Sequence, residues 1–122
     1  MSKSILLLED SEIVRNLATA HLEDAGYRVT AVATIDELEE IADPKQADLI
    51  LLDVEVAQLY GDDVGMVLRK VRGVTAPIWL FSSKPDDELA ERVADAGLDG
   101  FISKSIGLDA LVERVRTILG DE

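Results

Sequence analysis

The stretch Leu49-Ile50-Leu51-Leu52-Asp53 places four consecutive apolar residues directly before an acid. A strand with one face in water alternates apolar and polar residues, whereas a strand covered on both faces is apolar throughout. A run this short, ending sharply at a carboxylate, predicts a buried strand of a parallel sheet. Three further runs repeat the pattern: Ile5 to Leu8 ends at Glu9, Ile78 to Phe81 ends at Ser82, and Gly100 to Ser103 ends at Lys104. Tyr27 to Val32 supplies another strand.

Helical spacing fills the gaps between the runs. Ile13, Val14, Leu17, Ala18, Leu22 and Ala25 predict a first helix starting near Ser11 and stopped by Gly26. Thr34 and Glu37 have capping-box spacing before Leu38 and Ile41, and Asp43 with Pro44 ends that helix. Val64, Val67, Leu68 and Val71 mark a third helix, stopping near Gly73. Pro85 with Asp86, Asp87 and Glu88 opens a fourth, where acids suit the positive end of the helix dipole; Leu89, Ala90, Val93 and Ala94 form its apolar side. Leu108, Leu111, Val112, Val115, Ile118 and Leu119 form the fifth and clearest amphipathic helix. Five βα units imply an α/β fold: a flavodoxin-like (βα)5 three-layer sandwich, its five-stranded parallel sheet in the order 2-1-3-4-5. All 122 residues, 1–122, read as a single domain.

Composition narrows the chemistry. There is no cysteine, which excludes disulfides, thiolate metal sites and cysteine nucleophiles, and the single histidine, His21, cannot build a histidine-rich metal site. The net charge of −13 disfavours nucleic acid and anionic membranes as partners. No apolar run approaches the about 20 residues of a membrane span, and a soluble, cytoplasmic protein is expected.

In doubly wound sheets, ligands bind at the carboxyl ends of the strands, near the point where strand order reverses. The residues placed there are Glu9, Asp10, Asp53, Ser82 and Lys104. Three carboxylates in one cleft need a cation or shifted pKa values, and a hard divalent ion such as Mg²⁺ (or Mn²⁺) takes oxygen ligands while leaving positions for phosphate. A lysine and a hydroxyl suit the remaining phosphoryl oxygens, and a carboxylate can itself be the nucleophile. The residues together point to metal-assisted phosphoryl transfer onto a carboxylate.

Over essentially its whole length the sequence also resembles the receiver domains of bacterial response regulators. Glu9 and Asp10 match the metal-binding acid pair, Asp53 within LILLD the phosphoacceptor, Ser82 within IWLFSS the hydroxyl, Phe101 the aromatic switch position and Lys104 the phosphate-binding lysine. The resemblance implies a phosphorelay in two-component signalling. A histidine kinase or phosphotransfer protein would donate to Asp53, and Mg²⁺ would be held by Asp10, Asp53 and the backbone carbonyl of Glu55, with Glu9 helping through water. Ser82 and Phe101 would switch the face made by the fourth helix, fifth strand and fifth helix toward an output partner. Such a domain is a phosphoacceptor rather than a turnover enzyme. Two positions depart from the family pattern: Ser105 and Ala57 stand where proline is usual. The resemblance also implies that Glu55 and Lys84 border the route of the attacking water, where an ion pair between them would slow hydrolysis of the acyl phosphate. The alternatives are a pseudo-receiver that binds partners without phosphorylation and, more remotely, a phosphohydrolase, whose motif has aspartate where this chain has Glu55. His21 reads as a helix surface residue, Trp79 as packing, and Asp86 to Glu88 as a helix start rather than a second metal site.

Overall fold

A computed structural model describes residues 3–41, 44–56 and 59–121, the side chains of 41, 55, 56 and 59–61 excepted. Its strands are β1 (Ser4–Leu8), β2 (Arg28–Val32), β3 (Leu49–Leu52), β4 (Glu55–Val56), β5 (Leu59–Tyr60), β6 (Ile78–Ser82) and β7 (Gly100–Ser103). Its helices are α1 (Glu12–Asp24), α2 (Ile35–Ile41), α3 (Gly61–Lys70), α4 (Asp86–Ala96) and α5 (Leu108–Leu119). The main sheet runs β2-β1-β3-β6-β7, all parallel. That is the expected 2-1-3-4-5 order, with β6 and β7 as the fourth and fifth main strands. Among the unforeseen elements is a small antiparallel pair, β4 with β5, immediately beyond the end of β3.

Because side chains alternate along a strand, each apolar run serves two cores. Leu6, Leu8, Ile50, Leu52, Ile78 and Leu80 face one cluster with Leu38, Leu68 and Leu89 from α2, α3 and α4. Ile5, Leu7, Leu49, Leu51, Phe81 and Ile102 face the other, with Ala18, Leu22, Leu111 and Val115 from α1 and α5. Leu49 to Leu52 are fully buried, each contributing about 1.5–3 kcal/mol of burial. The edge strand β2 is the exception, alternating exposed and partly buried positions along Arg28 to Ala31.

Local signals hold where side chains meet the backbone. Ser11 caps α1 by accepting from the Val14 N–H. Thr34 Oγ1 accepts from the Glu37 N–H at 3.2 Å, and Glu37 reaches back to the Ala33 N–H at 3.3 Å. Gly97 closes α4 in the left-handed conformation, φ 69°, which a side chain would strain. The stop at Asp43 and the side chain of Ile41 lie outside the described residues.

Helical spacing overstated the apolar contacts of three helices. Ile13 is 73% exposed and Val71 76%, and Leu17 and Val67 are also exposed; Ala90 and Ala94 of α4 face solvent. The sheet touches only a narrow stripe of each helix, here Val14, Ala18 and Leu22, or Val64 and Leu68. Apolar residues one step round the helix are left in water.

Candidate functional site: an acidic cleft at the carboxyl end of the sheet

Parallel pairing delivers the ends of β1, β3, β6 and β7 to one edge. The Asp53 N–H donates to Leu8 O at 2.9 Å and the Glu9 N–H to Val32 O at 3.0 Å, so the backbone at both acids is held by neighbouring strands. Ser82 pairs with Ser103, which puts Lys104 one residue beyond the last rung. A cleft of about 320 Å³ results, lined by Asp10, Asp53, Ser82, Ser83, Lys84 and Lys104.

Glu9 is completely buried, Asp53 is 6% exposed and Ser82 3%, while Asp10 is exposed. Glu9, Asp10 and Asp53 each bring an oxygen within 4.8 Å of the others. Lys104 Nζ lies 2.5 Å from Glu9 Oε1 and 3.5 Å from Asp53 Oδ1, and 5.3 Å from the centre of the Phe81 ring. Glu9 meets the ammonium through Oε1, while its Oε2 accepts from the Ser11 N–H at 3.2 Å. Arg15 donates to the Glu9 carbonyl at 3.0 Å.

Burial pushes the Asp53 carboxyl well above the ordinary carboxylate range. A hydrogen bond shared with Glu9, the Glu9 charge and a hydrogen bond with Asp10 push the same way, and the Lys104 ammonium opposes them. Three acids against one lysine leave local negative charge uncompensated. Three clustered carboxylates facing a single ammonium make an all-oxygen donor set that fits a hard divalent cation.

The other expected residues fall as follows. Ser82 Oγ accepts from the Lys84 N–H at 3.1 Å. Phe101 pairs with Leu80 across the sheet and packs, partly buried, on the α2–α3–α4 side of the core; it is not among the cleft-lining residues. Lys84 reaches the cleft and is 3.6 Å from Glu88 on α4. The Glu55 side chain and Ala57 lie outside the described residues; the Glu55 backbone begins the hairpin after Asp53. His21 is a partly buried helix residue whose Nδ1 is 2.9 Å from Leu17 O. Trp79 is partly buried, with Arg114 5.6 Å over its ring.

Ser83 in the cleft lining, Phe81 under the Lys104 ammonium and Glu88 beside Lys84 were not anticipated. Glu88 stands four residues after Lys84, a legible spacing, and it also binds Arg92 at 3.1 Å; Arg92 in turn reaches Asp62 on α3. Nothing in the sequence marks Phe81 as more than core.

The sequence profile of the response regulator receiver domain matches residues 5–116. The chain belongs to this family. It is therefore a receiver domain of two-component signalling. It is 28% identical over 125 residues to the polar-differentiation response regulator DivK of Brucella ovis, with 99% of each chain covered. The BeF3-activated N-terminal receiver domain of Klebsiella pneumoniae RstA superposes with a TM-score of 0.84 at 26% identity, covering 96% of this receiver and 98% of that chain. The Vibrio cholerae chemotaxis response regulator CheY4 shares the fold, with a TM-score of 0.85 at 22% identity, covering 98% and 100%. Receiver domains are signalling domains rather than turnover enzymes. Among the described residues, no helix is long and apolar enough to cross a membrane.

Proposed function

We propose that residues 1–122 form one phosphoacceptor unit in which Asp53 accepts a phosphoryl group from the phosphohistidine of a kinase or phosphotransfer protein. The observation that supports this most directly is the convergence of Asp53, Asp10, Ser82 and Lys104 at one cleft, with Glu9 buried against Lys104 and Asp53 nearly buried yet lining the opening. An Asp53 carboxylate oxygen attacks phosphorus, the P–N bond to the donor histidine breaks, and the imidazole leaves with the bonding electrons.

Asp10 and Asp53, with the Glu55 carbonyl and with Glu9 through water, are the groups to hold Mg²⁺ or Mn²⁺. Such an ion, when bound, neutralises phosphoryl oxygens and lets Asp53 stay ionised at neutral pH. Lys104 is already drawn to the acids, so its ammonium can bind a phosphoryl oxygen once Asp53 carries the acyl phosphate. The Ser82 hydroxyl, held by the Lys84 amide, can rotate to donate to another. Phe101, on the strand beside Ser82's and two rungs back from it, is the aromatic that responds, carrying the change to the α4–β7–α5 face and its output partner. Glu55 and Lys84 flank the route of the hydrolysing water; if Glu55→Ala with Lys84→Ala leaves the dephosphorylation rate unchanged, that role is wrong.

Intact-mass measurement with acetyl phosphate and Mg²⁺ tests the acceptor. A phosphoryl adduct that needs Mg²⁺ and vanishes in Asp53→Asn is expected. No adduct, and no response to beryllofluoride, would refute the reading in favour of a phosphorylation-independent binding module.

A further inference from the structure

Lys104 carries a long side chain on a loop where the family pattern has proline and this chain has Ser105, so something else must fix its starting point. Lys104 to Ile106 form a single 3-10 turn. Ser103, the last residue of β7, caps it: its Oγ accepts from the Ser105 N–H at 3.2 Å and lies 2.7 Å from Ser105 Oγ. At the other end the Gly107 N–H donates to Lys104 O at 3.4 Å, with φ of 88° at Gly107. The turn bearing Lys104 is thus closed at both ends, and its near end is tied to the final rung of the sheet, where Ser103 pairs with Ser82. From there the side chain crosses the Phe81 ring to Glu9 and Asp53.

We propose that the Ser103–Ser105 hydroxyl clasp is the positioning device for Lys104. It directs the ammonium onto the acid cluster, a task that a proline at residue 105 would otherwise perform by restricting the backbone. Neither Ser103 nor Ser105 is among the residues lining the cleft; their hydroxyls act through the turn. The consequence for rate rests on Asp53 being the phosphoacceptor, but the consequence for Lys104 does not. A local capping hydroxyl competes with water at this solvent-facing loop, so its loss loosens the turn without unfolding the domain. A displaced ammonium loses charge stabilisation in the transition state, and small misplacements of such groups cost about tenfold or more.

Two measurements on the whole chain test the proposal, with urea midpoints verifying that each variant folds. The first follows the Lys104 side-chain NMR resonances, assigned by their loss in Lys104→Arg, without any phosphodonor. Ser103→Ala should move them toward the position of a solvated lysine, and Ser103→Thr, which keeps the hydroxyl, should restore them. The second is the initial rate of Mg²⁺-dependent labelling by acetyl phosphate. Ser103→Ala should slow it about tenfold in the wild-type background and change nothing further in Lys104→Ala. Lys104 resonances unmoved by Ser103→Ala would overturn the proposal, as would an equal loss of rate in both backgrounds. If the wild-type chain is never labelled, the acceptor reading fails, and the resonances alone still decide whether the clasp holds Lys104.

Discussion

Replacing Asp53 with asparagine should make the metal-free protein more stable. The carboxyl is pushed from 3.8 to about 8 in the folded state, chiefly by burial and by Glu9. The native state therefore holds this proton more tightly than the unfolded chain does. The group's stabilising contribution is complete below pH 4 and is lost as pH rises through about 8. One pKa unit corresponds to about 1.4 kcal/mol. The full shift would be several kcal/mol, but Glu9 shares the proton, the cleft opens to water and asparagine has its own desolvation cost. A gain of about 2 kcal/mol for Asp53→Asn at pH 8 is the resulting expectation. Urea unfolding from pH 4 to 8 in EDTA, followed by circular dichroism, measures it as the difference between the two proteins. That difference should be near zero at pH 4 and grow steadily to pH 8. Millimolar Mg²⁺ should then close the gap by stabilising the wild type more than the variant. An Asp53→Asn protein no more stable than wild type at pH 8 would refute the idea that the acid cluster is strained without a cation, and equal Mg²⁺ stabilisation of both would place the ion elsewhere.

Lys104→Met keeps most of the side chain but removes the ammonium beside Glu9 and Asp53; a loss of about 2–4 kcal/mol at pH 8 that shrinks at pH 5 is expected in urea titrations. Gly100→Ala would bring a Cβ within 2.5 Å of the Trp79 ring, an overpacking cost of about 1–3 kcal/mol, and Trp79→Leu should relieve most of it in a double-mutant cycle. Tyr27 donates to Asp121 at 2.9 Å, so Tyr27→Phe should cost about 1 kcal/mol at neutral pH. Burial and Asp121 raise the Tyr27 hydroxyl from 10 to about 12, so its contribution is present below pH 10 and lost as pH rises through 12. Asp121 is held below the usual carboxylate range by Lys3 and Tyr27, so its contribution is present at neutral pH and lost in acid.

Much of this receiver was legible in one dimension. The apolar run Leu49 to Leu52 ending at Asp53, repeated at Glu9, Ser82 and Lys104, carried both the parallel sheet and the residues that meet at its edge. Burial on two faces demands uninterrupted apolar runs, and parallel strands put all their carboxyl ends together. The caps at Ser11 and Thr34 were equally readable, since they join residues three apart along the chain.

What escaped the sequence depends on contacts between distant segments. Ile13, Leu17, Val67 and Val71 have the right spacing for a helix core face, yet only packing decides how wide a stripe the sheet covers, and these four fall outside it. The antiparallel pairing of Glu55 and Val56 with Tyr60 and Leu59 has no sequence signature of its own. The Lys104 ammonium settles on Glu9 and over Phe81, partners 95 and 23 residues earlier in the chain. Residue type and strand ends determine which groups reach the cleft. Only the tertiary structure decides which of them are buried, because desolvation, and with it the raised pKa of Asp53, belongs to the assembled sheet and not to any segment of it.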